Sequence, residues 1–233
     1  MKQYRNEWKF LCGSGIRAEL MERVRQALTP DIHAGPQNSY LVHSVYFDDY
    51  RDSCAAANEA GGSIRFKYRV RGYGGSMEGL HLERKEKLYG RCAKESCPLS
   101  VPEFRSLLAG EAQELFWQTE NPLMQAFCLR IMTAHFTPKL TLSYERAAFT
   151  EPAANIRITF DSSIRAAIPD PEQPVSPDSQ WFRLIPEDRF IMEVKFDSIL
   201  PGWIRNMLEL DSLQQVTFSK YYLGRKTLEE IYT

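Results

Sequence analysis

Several short segments of the chain alternate between hydrophobic and polar residues with a period of two, which is the pattern of a half-buried β-strand. The clearest is GSIRFKYRVRGYG, from Gly62 to Gly74. One face of the predicted strand carries Ile64, Phe66, Tyr68 and Val70, and the other carries the cations Arg65, Lys67, Arg69 and Arg71. Like charges that neighbour each other on one face repel, so the pattern indicates an anion opposite them.

The same alternation recurs along the chain and predicts at least six strands. The other segments are YRNEWKF, HSVYFDD, LHLERKEKL, KLTLSYERA, NIRITFD and IMEVKFD. Hydrophobic residues at helical spacing predict helices in IRAELMERVRQAL, SVPEFRSLLAG and PGWIRNMLEL, and in a stretch that begins at Asn121 and Pro122. Strand patterns flank the proline-rich stretch from Pro169 to Gln180, so we interpret it as a loop. These patterns predict one α+β domain with an antiparallel sheet, spanning residues 1–233.

The polar faces of these strands are ionic rather than mixed. A half-buried sheet usually presents neutral and charged residues of both signs to water. If this sheet closes into a barrel, the ionic faces line its lumen and the apolar faces lie beneath the helices. Buried cations without partners cost several kcal/mol each, so such a lumen has to hold a polyanion. Phosphate is the anion that arginine forks and lysine point charges suit best.

Composition shows that the positive charge is segregated locally. The chain has 29 Lys and Arg against 30 Asp and Glu, a net charge of -1. Five cysteines without a CxxC pair are typical of reduced thiols in a cytoplasmic protein. We expect no signal peptide and no transmembrane segment, because the N-terminus is charged and no apolar run approaches about 20 residues. The four histidines lack the spacing of a zinc site.

Eight motifs in series carry a family resemblance. They are RNEWK, VYFDD, KYRVRGYG, LERKEK, SYERAAF, RITFD, IMEVKF and FSKYYLG, from Arg5 to about Gly224. In this order they resemble the VTC domain of polyphosphate polymerases, a branch of the CYTH-like triphosphate tunnel metalloenzymes. The resemblance implies an antiparallel β-barrel that forms a closed tunnel with flanking helices.

The resemblance also implies the site residues. Phosphate would be bound by Lys9, Lys67, Arg69, Arg71, Lys85, Lys87, Lys94, Arg146, Arg157, Lys195 and Lys220. The residues implied to act in catalysis are Arg69, Arg71, Lys85, Arg157, Lys195 and Glu193. Glu193 matches the family's metal-binding glutamate, and Glu7 and Glu83 are weaker candidates. The metal would be Mn²⁺ or Mg²⁺, the divalent cations that oxygen ligands suit.

The implied activity is transfer of the terminal phosphoryl group of ATP onto polyphosphate, with pyrophosphate or triphosphate as related ligands. Arg5 stands where the cyclase and triphosphatase branch typically has glutamate, which favours the VTC branch. We expect neither the SPX domain nor the membrane helices of the yeast polymerase complex, so a regulatory or membrane partner stays an open question.

Three alternatives to a polymerase remain at the level of the sequence. Water could replace the phosphate acceptor, which would make the protein a tripolyphosphatase or nucleoside triphosphatase. A chain without catalytic activity could serve as a polyphosphate-binding module. Nucleic acid is disfavoured, because Phe66 and Tyr68 lie on the strand face opposite the arginines and offer no stacking platform beside them.

Overall fold

The computed structural model describes residues 2–31, 38–174, 176 and 179–232. The strands in these residues are β1 (Asn6–Gly13), β2 (Thr29–Pro30), β3 (Tyr40–Asp48), β4 (Ile64–Tyr73), β5 (Leu80–Leu88), β6 (Arg91–Leu99), β7 (Thr137–Glu151), β8 (Ile156–Ala167), β9 (Phe182–Arg183) and β10 (Arg189–Phe196). The helices are α1 (Arg17–Ala27), α2 (Ser53–Glu59), α3 (Val101–Ala109), α4 (Gln113–Gln118), α5 (Pro122–Ala134), α6 (Gly202–Met207) and α7 (Lys220–Tyr232). The predicted α+β class is confirmed.

One antiparallel sheet contains all of these strands, in the order β1-β10-β8-β7-β3-β4-β5-β6, with β2 added beside β7 and β9 beside β8. The edge strands β1 and β6 approach each other at one isolated bridge. There, the Arg5 amide donates to the Cys92 carbonyl at 2.9 Å and the Cys92 amide donates to the Arg5 carbonyl at 2.8 Å.

The predicted antiparallel β-barrel with a closed tunnel is wrong in one respect, because the sheet does not close into a barrel. Beyond the Arg5–Cys92 bridge, the edge of β1 bonds to a different partner. The Val216 amide donates to the Lys9 carbonyl at 2.8 Å, and Gln215 forms a bridge with Phe10. Because this segment occupies the edge of β1, the ladder between β1 and β6 cannot continue. The result is an open, curled sheet.

The apolar faces of the strands pack beneath helices, as the alternation predicts. The ring of Tyr68 on β4 stacks on Phe127 of α5 with centroids 4.8 Å apart. Phe47 of β3 contacts the Phe127 ring edge-on, with centroids 5.1 Å apart. On the other part of the sheet, Val24 of α1 and Ile204 of α6 are buried in a second apolar cluster. The burial of these faces leaves the ionic faces on the concave side.

Local signals account for several helix ends. Ser100 and Glu103 form the predicted capping box at the start of α3, and Gly110 ends that helix with a φ of 79°. The Asn121 side chain accepts from the amides of Leu123 and Met124 at the start of α5. Sequence patterns did not predict α2, α4, α7, β2, β6 or β9. Within the described residues, no helix combines the length and apolar character needed to cross a membrane.

Buried Asp48 joins two of these unpredicted helices. Its carboxylate accepts from the amides of Cys54 and Ala55 in the first turn of α2, at 3.0 and 3.1 Å. It also accepts from the Tyr221 hydroxyl of α7 at 2.6 Å. This carboxylate places α7 at one end of the concave side, with Lys220 and Tyr221 inside it.

A buried histidine in β3 predicts acid sensitivity. His43 is 1 % exposed, and neither ring nitrogen has a hydrogen-bond partner among the described residues. Burial, and then the charge of Arg71, lower the pKa of His43 to about 4, against about 6.5 in an unfolded chain. The unfolded chain therefore takes up this proton first, and the free energy of unfolding falls as pH drops from about 6.5 to about 4, by about 3 kcal/mol at most.

Urea denaturation at several pH values tests this prediction. The His43→Gln variant carries no titrating ring, so its free energy of unfolding should fall less steeply than that of the parent across the same pH window. Carboxylates contribute equally to the pH dependence of both proteins, so their contribution cancels when the two free energies of unfolding are subtracted. Parallel pH profiles for the two proteins would show that His43 is not the cause.

Candidate active site

The concave side of the sheet encloses a cavity of about 750 Å³. The four β4 cations Arg65, Lys67, Arg69 and Arg71 all line it, so the alternation in that strand orients them as predicted. Residues 215–219, which precede α7, line one side of the cavity. Strands far apart in the sequence thus bring their ionic faces to a common space.

Every cation that the sequence nominates for phosphate binding lines this cavity. These are Lys9, Lys67, Arg69, Arg71, Lys85, Lys87, Lys94, Arg146, Arg157, Lys195 and Lys220. Arg5, Arg65 and Arg91 add three more, which makes fourteen, whereas the carboxylates among the lining residues are Glu7 and Glu193. Such a charge imbalance makes the cavity a strong anion site. The roles of the individual cations stay predictions.

Glu7 and Glu193 lie side by side on β1 and β10, with Lys9 opposite Glu193 in the register. Lys85 bonds to Glu7 at 2.7 Å and Lys195 to Glu193 at 2.8 Å, while Lys9 lies 3.0 Å from Glu7 and 3.6 Å from Glu193. Burial acts to raise the pKa of each carboxyl, but the surrounding lysines outweigh it and hold both pKa values below the usual range. Both groups are ionised at neutral pH.

Glu83 belongs to a separate cluster. Its carboxylate lies 2.7 Å from Arg69 and Lys94 and 3.6 Å from Arg71. Burial acts to raise the pKa of Glu83, and the two arginines with Lys94 hold it well below its usual range. The structure does not bring Glu83 to Glu7 and Glu193. In the described part of the chain, no three side chains of the types that bind metals are placed to share an ion.

Asp161 is a site residue that the sequence reasoning missed. It is 0 % exposed and accepts two bonds from Arg146, at 2.6 and 2.7 Å, and one from Lys220 at 2.6 Å. Burial acts to raise the pKa of Asp161, but Arg146 and Lys220 lower it to about 2. A signal was present, because Asp161 shares the inward face of NIRITFD with Arg157. Arg157 itself pairs with Asp31 at 2.6 Å.

Tyrosines from other elements reach the cationic face. Tyr68 points away from the arginines of β4, as expected, and does not line the cavity. Phe66 contacts Arg84 and is also among the lining residues, as are Tyr46, Tyr144 and Tyr221. Arg69 donates to the Tyr46 hydroxyl at 2.6 Å, and Lys220 lies 4.8 Å from the centre of the Tyr144 ring. These rings and hydroxyls contact the cations of the wall and hold them in place.

Comparison with protein families identifies the chain. The model of the VTC domain matches residues 4–229. The chain belongs to the VTC family. This match covers all of the strands that line the cavity, from β1 to β10, and the greater part of α7.

The VTC chain also shares its fold with a solved structure of low sequence identity. A candidate adenylate cyclase from Bacillus halodurans aligns with a TM-score of 0.56 and 15 % identity, over 100 % of this chain and 99 % of that one. A protein from Pyrococcus horikoshii aligns with a TM-score of 0.48 and 13 % identity, over 97 % and 99 % of the two chains. A search of curated proteins returned no match.

The carboxylates of this VTC chain fit a divalent cation that substrate phosphates help to hold. Magnesium is commonly bound by one or two carboxylates together with phosphates and water. Glu7 and Glu193, with side chains 6 % and 5 % exposed, provide two ionised carboxylates in a cavity that is otherwise cationic. Lysines Lys9, Lys85 and Lys195 neutralise them in the structure. A bound cation would take the place of part of this lysine charge.

Proposed function

We propose that this protein is a metal-dependent polyphosphate polymerase that transfers the terminal phosphoryl group of ATP onto a polyphosphate chain. The observation that carries the proposal is the cavity with fourteen lining cations and two lining carboxylates, in a chain of the VTC family. A site this cationic suits a substrate and a product that are both polyanions. We place the reaction in the cytoplasm, where ATP is supplied.

The proposed reaction needs no covalent intermediate on the protein. A terminal oxygen of the polyphosphate chain attacks the γ-phosphorus of ATP, the bond from that phosphorus to the β-phosphate oxygen breaks, and ADP leaves. The transition state of phosphoryl transfer is loose, so positioning and charge neutralisation supply most of the catalysis. Arg69 and Arg71 would clamp the transferred group from β4, and Lys85, Arg157 and Lys195 would hold the remaining phosphates.

The preformed ion pairs support this positioning role. Glu83 and Tyr46 orient the Arg69 guanidinium through bonds of 2.7 and 2.6 Å, so its geometry is set before substrate arrives. Glu7 and Glu193 would hold Mn²⁺ or Mg²⁺ near the nucleotide phosphates. The metal would neutralise charge on the phosphate oxygens and the negative charge that develops on the leaving ADP.

Incubation of the purified protein with ATP and Mn²⁺ or Mg²⁺ tests the proposal. We expect polyphosphate chains on a gel stained for polyphosphate, and no chains when a chelator is present. The same samples are assayed for free phosphate. Free phosphate without chains would assign the protein to hydrolysis of nucleoside triphosphate or tripolyphosphate, and binding of polyphosphate with neither product would make it a binding module.

A further inference from the structure

The cations of the cavity differ in how they are neutralised. Five of the lysines lie within 3.0 Å of a carboxylate oxygen, namely Lys9, Lys85, Lys94, Lys195 and Lys220. These pairs occupy the part of the cavity around Glu7, Glu193, Glu83 and Asp161. Together with Arg69, Arg71 and Arg146 these lysines make eight cations that share the four carboxylates, so each of them has an anionic partner before any ligand binds.

The end of the cavity where β4 begins and β5 ends, beside the turn between β5 and β6, differs in this respect. Arg65 pairs with Lys87 in the register of the two strands, and Lys67 pairs with Lys85. Lys67 donates to the neutral oxygens of Asn58 at 3.0 Å and Ser219 at 2.7 Å. In the described ranges, no carboxylate oxygen lies within 4.0 Å of a charged nitrogen of Arg65, Lys67 or Lys87.

We propose that Arg65, Lys67 and Lys87 form a subsite that holds the inorganic polyphosphate acceptor chain, next to the Glu7–Glu193 side that receives the metal-bound nucleotide. This inference rests on the proposed function and assigns an orientation to it. The new chain end lies toward Glu193, and the older phosphates extend past the start of β4 and the end of β5.

Charge complementarity supports this division. Like charges directly opposite each other on neighbouring strands destabilise a sheet, so Arg65 and Lys87 require an external anion. A nucleotide that carries a divalent cation brings part of its own neutralisation and suits the side with the carboxylates. A polyphosphate chain without metal carries a negative charge on every phosphate and suits the unbalanced side.

The protonation of the subsite supplies an independent readout. Burial, and then the charges of Lys85, Lys9 and Arg65, lower the pKa of Lys67 to about 7. The groups around its ammonium are Lys9 on β1, Lys85 on β5, Arg65 on β4, Cys54 on α2 and Tyr221 on α7. Burial and Arg65 also lower the pKa of Lys87. A polyanion bound here raises both pKa values, so its binding takes up protons near neutral pH.

The affinity test uses calorimetry with two probes, short inorganic polyphosphate in the presence of EDTA and ATP with Mg²⁺. The double variant Lys67→Gln and Lys87→Gln should weaken polyphosphate binding at least about tenfold more than ATP binding. The Lys195→Gln variant should weaken binding of ATP with Mg²⁺ more than binding of polyphosphate. Lys226→Gln, on the exposed side of α7, controls for loss of one positive charge and should change neither affinity by more than about twofold.

The proton test compares polyphosphate binding at pH 7.5 in two buffers of different ionisation enthalpy. The parent should take up protons on binding, and Lys67→Arg should bind with less uptake because arginine stays charged. Equal weakening of both probes in the double variant, or unchanged uptake in Lys67→Arg, would overturn the subsite. If polyphosphate binds with this affinity pattern and proton uptake but the parent makes no chains, the polymerase function is wrong and the subsite stands. If the parent binds no polyphosphate, both proposals are wrong.

Discussion

A Glu193→Gln variant is expected to lose polyphosphate synthesis by on the order of 10³-fold, which corresponds to about 4 kcal/mol of transition-state stabilisation. The substitution keeps the size of the side chain and removes its negative charge. Glu193 is 4 % exposed and lies beside Glu7 in the cavity. The neutral amide would be a poor ligand for Mg²⁺ or Mn²⁺ there, so the nucleotide phosphates would no longer be held in line.

Binding of polyphosphate should survive the same substitution. The Glu193 carboxylate neutralises Lys195 at 2.8 Å and lies 3.6 Å from Lys9. Without it, Glu7 is the carboxylate that both ammonium groups still share, and the cavity gains one net positive charge. Metal-free polyphosphate should therefore bind at least as tightly as to the parent. A matched control is Glu145→Gln, which makes the same change at an exposed position of β7 and should alter neither property.

Gel analysis of the products and calorimetry of polyphosphate binding separate the outcomes. Loss of synthesis with retained binding supports a catalytic carboxylate at Glu193. Unchanged synthesis would exclude Glu193 from the reaction. A parallel loss of binding and synthesis would show that Glu193 holds the cavity together, and circular dichroism would then report the altered fold.

Period-two alternation predicted on which face of a strand each side chain lies. It placed the cations of β4 on one face and the ring of Tyr68 on the other, and the cavity and the Phe127 stack confirm both. The side-chain direction follows from the pleat alone. The capping box at Ser100 was predictable for the same reason, because all of its atoms lie within one helical turn.

Pairing between distant segments could not be predicted in this way. The neighbours Glu7 and Lys195 are 188 positions apart, and only the β1–β10 register brings them opposite each other. The closure of the sheet depends equally on distant partners, since the segment at Gln215 competes with β6 for the edge of β1. Helix α7 carries a signal of its own, because its buried residues Tyr221, Gly224 and Leu228 recur at helical spacing. Its position could not be predicted, since it depends on the bond between Tyr221 and the distant Asp48.

Asp161 was missed because no role was assigned to aspartate in the predicted site. The sequence reasoning searched for cations that bind phosphate and glutamates that bind metal, so an aspartate on an inward face had no assigned role. In the structure the carboxylate organises Arg146 and Lys220, which come from β7 and α7. A cavity built of cations needs such internal anions, because mutual repulsion would otherwise separate its walls.

Replacement of Asp161 by alanine is expected to lower the free energy of unfolding by about 3 to 5 kcal/mol, because it leaves two cations uncompensated in a buried setting. Arg146 is 7 % exposed and Asp161 is 0 % exposed, so water does not screen the loss. Urea denaturation measures the change. Asp211→Ala, which breaks the exposed pair between Arg205 and Asp211, is the matched control and should leave the urea midpoint nearly unchanged.

A triple variant separates the stabilising role of this cluster from its role in phosphate binding. Apolar side chains of similar volume often replace a buried ion cluster without loss of stability, so Arg146→Met, Asp161→Leu and Lys220→Met together should unfold near the urea concentration of the parent. Polyphosphate binding should still weaken, since two lining cations are gone. If Asp161→Ala costs no more than the Asp211 control, the cluster is hydrated and Asp161 does not organise the wall. If the triple variant binds polyphosphate as tightly as the parent, Arg146 and Lys220 support the wall without contacting phosphate.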